Sequence, residues 1–285
     1  MTLRTIFSIG LLFISFFAGC TSERKPDDGD RPVESSDNAN SSPGIKPEVS
    51  SVKQLKLDNT ETDDAELAKI CRENPELLEL TLEGTKVTDA GLVHLPQLTK
   101  LKKIRLSKTA ITDAGMKVLA KCERLEDVDV SQTKISDPGA WELAALPRLK
   151  RLNFYLTFVT DSGLDSFQTG KHRSAKTIEW LNLDKCPITD AGLPKLAALS
   201  SLAWLHLGGT AITDTGLVEL AKLESLKEAI ITKTETTLEG IEKLRKARPD
   251  MTLRDNISEK TPPEDIEEAA QYRKQLAPIR EKTGN

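Results

Sequence analysis

At 285 residues, with 38% apolar and 29% charged side chains, the chain has the length and composition of one or two ordinary soluble domains. Aromatics are only 4%, so the core must be built from Leu, Ile, Val and Ala, as in short-repeat solenoids, and each exposed ring becomes informative. A net charge of −4 without a basic stripe argues against a surface that tracks phosphates, so no nucleic-acid partner is expected.

Residues 1–19 read as a targeting segment: Arg4 supplies the positive start, Ile6 to Phe17 an apolar run, and Ala18-Gly19 the small residues before Cys20. The apolar run is too short to span a bilayer as a helix. Phe17-Ala18-Gly19-Cys20 resembles the lipobox of bacterial lipoproteins, in which the chain is cut before the Cys and that Cys is acylated. The resemblance implies lipid attachment at Cys20, a membrane contact through that anchor, and a place in the cell envelope. Thr21 rather than Asp after the Cys looks like the pattern of proteins passed to an outer membrane or its periplasmic face. Residues 20–50 are polar and rich in Pro, Ser, Asp and Gly, which predicts a disordered tether.

Internal repetition begins at Val52. Segments starting at Leu77, Leu101, Leu125, Leu149, Ile178 and Leu202 share the pattern LxxLxLxx(T/C)xITDAGLxxLxxL, and degenerate copies from Val52 and Leu226 flank them. Most starts lie 24 residues apart, with 25 after the first and 29 between Leu149 and Ile178, where Thr169 to Ser174 form an insertion. Leu80 and Leu82 alternate with polar residues, the period of a half-buried strand; Leu92, Leu95 and Leu98 recur every three residues, the period of a short helix or 3₁₀ turn. Between them, Thr88 and Asp89 offer oxygens to the free amides at the helix start. One copy cannot cover its own apolar face, so copies must stack. The spacing predicts an α/β solenoid of eight repeats over residues 51–254, with a parallel sheet on the concave face and short helices on the convex one.

This consensus resembles the leucine-rich-repeat superfamily of the TDAGL type, and within it the cysteine-containing subfamily, most closely at Leu119 to Leu125 and at Asp184 to Asp190. With the lipobox, the whole looks like bacterial lipoproteins that display such an array. The resemblance implies protein binding on the concave face.

Three columns recur through the repeats. Thr60, Thr85, Thr109, Thr133, Thr157, Cys186, Thr210 and Thr234 fall where the chain leaves each strand, and a short side chain with one donor there is expected to turn inward onto the backbone. Asp64, Asp89, Asp113, Asp137, Asp161, Asp190 and Asp214 stand at helix starts, where capping and the helix dipole explain them without a metal. Cys71, Cys122 and Cys186 are odd in number and far apart, so no disulfide framework is expected, and Cys122 shares an apolar column with Leu98, Leu146, Leu199 and Leu223.

The outward strand positions carry the functional expectation. Early repeats alternate in sign there and read as solvated. Repeats five to seven place Arg151, Asn153, Tyr155, Trp180, Asn182, Asp184, Trp204 and His206 together, and Trp, Tyr and Arg are the residues that anchor interfaces. Stacking of the rings on one another to stiffen the sheet is the alternative use of the same residues. Gly208-Gly209 beside them would let a ligand approach the backbone closely. His206 near Asp184 could form a base with its orienter, but no nucleophile, zinc spacing or phosphate loop accompanies them, so no enzyme, cofactor or metal is expected. The sequence thus predicts a monomeric, envelope-tethered binding module gripping a protein or glycan partner, with a passive spacer as the alternative. In residues 255–285, Thr261-Pro262-Pro263-Glu264 is a capping-box pattern that predicts a helix to about Leu276, serving as a cap on the last repeat or as a free tail.

Overall fold

The computed structural model describes residues 53–168 and 173–256. The targeting segment, Cys20, the tether, His172 within the insertion and the C-terminal helix expected from Thr261 lie outside them.

Nine three-residue strands form one parallel sheet in sequence order: β1 (Gln54–Lys56), β2 (Glu79–Thr81), β3 (Lys103–Arg105), β4 (Asp127–Asp129), β5 (Arg151–Asn153), β6 (Trp180–Asn182), β7 (Trp204–His206), β8 (Glu228–Ile230) and β9 (Thr252–Arg254). The central residue of each interior strand, such as Leu80, Ile104, Leu152 or Leu205, is fully buried, and the residues on either side face the opposite way. Register aligns equivalent positions of every repeat, for example Leu152 with Leu181 and Leu181 with Leu205. Returning helices are α1 (Asp64–Glu73), α2 (Asp89–Leu92), α3 (Asp113–Leu119), α4 (Asp137–Ala144), α5 (Asp165–Gln168), α6 (Asp214–Ala221) and α7 (Leu238–Ala247). Repeat six instead uses a 3₁₀ run, Asp190–Ala198, with Pro194 inside it; proline has no N–H to give an α-helical ladder.

The threonine column behaves as its chemistry requires. Thr85 Oγ1 donates to Leu82 O at 2.8 Å, Thr109 to Leu106 O at 2.6 Å and Thr210 to Leu207 O at 2.6 Å, each three residues back along the chain. Cys186 departs from the column: its Sγ donates to Phe154 O of the preceding turn at 3.0 Å. Cys71, Cys122 and Cys186 are all buried free thiols.

The aspartate column does more than the helix capping expected of it. The caps are the threonines: Thr88, Thr112, Thr189 and Thr213 each accept an amide two residues on. Each Asp instead grips the next repeat. Asp89 takes Thr112 N on Oδ1 at 2.8 Å and Thr112 Oγ1 on Oδ2 at 2.6 Å, and the same double bond joins Asp113 to Ser136, Asp161 to Thr189 and Asp214 to Thr237. Both carboxylate oxygens are therefore engaged in stapling turn to turn.

The glycine of the motif follows from that staple. A Cβ on Gly115 would lie 2.5 Å from Asp89 Oδ1, and the other interior repeats repeat the conflict, Gly139 with Asp113 and Gly163 with Asp137 among them. The first repeat has no preceding Asp, and there an exposed Glu66 occupies the glycine position. In the last repeat Leu238 replaces the Asp.

The sequence pattern counted eight strands, and the described residues hold nine. Thr252–Arg254 pairs with β8 although no TDAG segment follows it. Arg248 closes this end, donating to Leu223 O at 2.8 Å and Leu226 O at 2.7 Å while pairing with Asp250 at 2.9 Å. Leu223 O also accepts Leu226 N at 3.0 Å, whereas Leu226 O takes its donor from Arg248 at the end of the ladder.

Candidate functional site

The outward face of the sheet divides into two chemically different halves. From β2 to β5 its charges answer one another. Lys103 meets Glu79 at 3.8 Å, Lys108 meets Glu83 at 2.7 Å, and Arg105 reaches Asp127 at 3.2 Å and Asp129 at 3.0 Å. Arg151 Nε lies 3.7 Å from Asp127, the last member of this lattice. A partner meeting such charges must break pairs already made, so this half offers it little.

From β5 to β7 rings replace ions, and ions return at β8 and β9, where Arg254 Nε meets Glu228 at 2.7 Å. Parallel register sets Arg151, Trp180 and Trp204 side by side. Arg151 Cζ stands 4.6 Å over the Trp180 ring, and the Trp180 and Trp204 rings stack at 4.3 Å with 6° between their planes. Trp180 is thus covered on both faces, with its edge left toward solvent. His206 meets Trp204 edge-on at 5.7 Å. The stacking alternative weighed from sequence is therefore realised, and the same contacts hold the ring edges in a fixed, half-buried row.

A second row runs alongside. Asn153 Oδ1 accepts Tyr155 N at 3.0 Å, and Asn182 Oδ1 accepts Asp184 N at 2.9 Å. Their carbonyls are engaged by their own chain, while the Nδ2 groups make no hydrogen bond among the described residues. Tyr155 lies under Lys185 Nζ at 5.9 Å. All eight residues expected to form the patch fall on one surface over β5 to β7 and the turns that leave them.

Burial governs the two titratable groups. It pushes the Asp184 carboxyl up to about 6, against the opposing pull of Lys185 and Lys233. It pulls His206 down to about 4. At neutral pH the pair is a carboxylate and a neutral imidazole. No hydrogen bond joins them, so they do not form a base with its orienter.

Two exposed aromatics escaped the sequence reading, Trp141 and the less exposed Phe158. Trp141 on α4 is 53% exposed on the helical side, and its Nε1 donates to Ser162 O at 3.2 Å. The signal was present, since a Trp standing where other repeats carry Val93, Lys117 or Val218 breaks the helix pattern.

Comparison with known proteins agrees with the architecture. A family model described as "Leucine Rich repeat" matches residues 97–120 and 200–221. Among solved structures the chain is similar to internalin C2 of Listeria monocytogenes, at 23% identity and a TM-score of 0.55, over 71% of this chain and 80% of that one. It is also similar to an internalin F of the same organism, at 18% identity and a TM-score of 0.49, over 70% of this chain and 66% of that one. No curated protein matches it in sequence. The fold is an α/β leucine-rich-repeat solenoid, an architecture that presents an extended binding surface.

Proposed function

We propose that this leucine-rich-repeat solenoid is a non-enzymatic protein-binding module, held to the cell envelope through Cys20 and residues 20–50, which grips its partner over β5 to β7. The observation that carries the reading is the change in chemistry along the sheet face: the ion-pair lattice ends at Arg151, and the ordered rings begin there. Aromatic and Arg side chains held in fixed geometry lose little freedom on binding, which is what makes such residues anchors.

A protein suits this surface better than a glycan. Sugars stack on open ring faces, and Trp180 has Arg151 over one face and Trp204 over the other. What is offered is a row of ring edges with Asn153 and Asn182 amides beside it, suited to backbone carbonyls and apolar side chains.

The test is capture from solubilised envelope by the full chain, beside a double Trp180→Ala, Trp204→Ala variant with an unchanged unfolding midpoint. A protein held by the wild type and lost by the variant supports the reading. Equal capture by both moves the site off the patch, and capture by neither favours a passive spacer whose rings serve only to stiffen the sheet.

A further inference from the structure

The third outward position of each turn carries Asp58, Glu83, Ser107, Ser131, Tyr155, Asp184, Gly208 and Thr232. Every repeat but the seventh has a side chain there, so the fold makes no demand for glycine. Neither does the backbone at Gly208. The left-handed residue of that turn is its neighbour Gly209, at φ 64°, while Gly208 lies outside that region. The backbone alone would accept alanine, and what the missing side chain leaves is space on the sheet face.

Three polar atoms from three neighbouring strands use that space. A Cβ on Gly208 would lie 2.8 Å from Asp184 Oδ1, 2.9 Å from His206 Nε2 and 3.0 Å from Thr232 Oγ1. None of the three hydrogen-bonds to another, and the side chains of His206 and Thr232 make no hydrogen bond among the described residues. Three atoms so nearly equidistant from one point are equidistant also from its mirror point across their own plane. A single oxygen placed at that mirror point would stand at hydrogen-bond distance from all three.

We infer that Asp184, His206 and Thr232 form a tripod that binds a hydroxyl group, supplied by a seryl or threonyl side chain of the protein partner. The inference rests on the reading of β5 to β7 as the partner surface. A hydroxyl has one proton to give and two lone pairs to fill. At neutral pH the Asp184 carboxylate accepts the proton, while Thr232 Oγ1–H and His206 in its Nε2–H tautomer donate to the lone pairs. A carboxylate on the partner would meet Asp184 with like charge, and an ammonium would meet two donors. Trp204 forms the wall on one side, through its edge contact with His206.

The test uses the ¹⁵N-labelled full chain and three probes: N-acetylserinamide, N-acetylalaninamide and methyl β-glucoside. The serine probe is expected to shift the Gly208 amide and the His206 ring nitrogens saturably, and the alanine probe to leave them in place. Gly208→Ala fills the site and abolishes the response. Thr232→Val keeps the shape, removes one donor and weakens binding about 3- to 10-fold, the worth of one hydrogen bond. Equal responses to the serine and alanine probes, or an unchanged titration in Thr232→Val, overturn the tripod. A saturable response to the glucoside alone overturns the protein hydroxyl in favour of a sugar. Because no partner enters this titration, it can fail while the Trp180 and Trp204 capture succeeds, and the reverse.

Discussion

Asp89 and Gly115 stand one repeat apart, and the glycine is where it is because the carboxylate is where it is: a Cβ on Gly115 would come within 2.5 Å of Asp89 Oδ1. Two substitutions thus probe one contact. Asp89→Ala strips the Thr112 N–H and O–H of their acceptors and is expected to cost about 2–3 kcal/mol, and Gly115→Ala, which collides with the carboxylate, about 1–3 kcal/mol. The double variant should cost clearly less than the sum, by at least about 1 kcal/mol, since removing the carboxylate leaves only the Leu92 Cδ1 methyl, 2.7 Å from the added Cβ, to give way. Urea unfolding of the four proteins checks this; strict additivity would show that the two residues do not share a site. Glu66→Ala, at the same motif position without an aspartate beneath it, should stay within about 0.5 kcal/mol of the parent.

The thiols should be silent in the folded protein. Burial pushes Cys71 up to about 11 and Cys122 and Cys186 up to about 12, so none carries thiolate near neutral pH. A disulfide reagent at pH 8 is expected to modify these three only after unfolding. Cys186→Thr should be tolerated to within about 1 kcal/mol, because the column it joins already holds threonine in seven turns. Rapid labelling of any of the three in the native protein would contradict the burial.

Asp184 and His206 give opposite signs to the pH dependence of stability. His206 is held below its ordinary 6.5, at about 4, so on acidification the unfolded chain takes its proton first and stability falls between about pH 6.5 and 4. Asp184 is raised from 3.8 to about 6, so the folded state takes its proton first; its contribution is full below about pH 3.8 and is lost as pH rises through about 6. Lys185 and Lys233 are the charges that face Asp184. The wild type should therefore be nearly flat between pH 4 and 6. Asp184→Asn should lose stability there on acidification and His206→Gln should gain it, each by on the order of 1–3 kcal/mol. Urea midpoints at pH 4, 5, 6 and 7 decide the matter, and three parallel profiles would sink the assignment.

Arg105 holds the charged half of the sheet face together through Asp127 and Asp129. Arg105→Ala leaves Asp129, only 9% exposed, without its counter-charge, and a loss on the order of 1–3 kcal/mol is expected. Arg105→Lys should recover only part of it, because one ammonium cannot reproduce the two-armed contact. Thermal unfolding of both variants tests this, and full recovery by lysine would reduce the pair to simple charge balance.

Much of this architecture was legible because a 24-residue period repeats the same physical problem many times. Strand centres, the inward threonines and the membership of the β5 to β7 patch followed from position alone, since parallel register carries equivalent residues into line. What escaped notice was whatever depends on the gap between turns. Asp89 read as a helix-start residue within its own repeat, and its grip on Thr112 appears only when neighbouring turns are placed in contact. The ends held the clue, because Glu66 and Leu238 break the motif at complementary positions. Strand β9 was missed because it is half a repeat: the alternation is there, but the motif that marked every other strand is not.

The aspartate staple runs in one direction only, each turn being held by the one before it. Interior turns are therefore interchangeable parts: a whole 24-residue unit could be lost or duplicated by recombination, and every carboxylate would still find a threonine or serine and every glycine a carboxylate. The two ends lack that freedom. A turn added ahead of the first would bring an aspartate against Glu66, and the turn that carries Leu238 has no carboxylate to pass the staple on, so the staple itself runs only from Asp64 to Thr237.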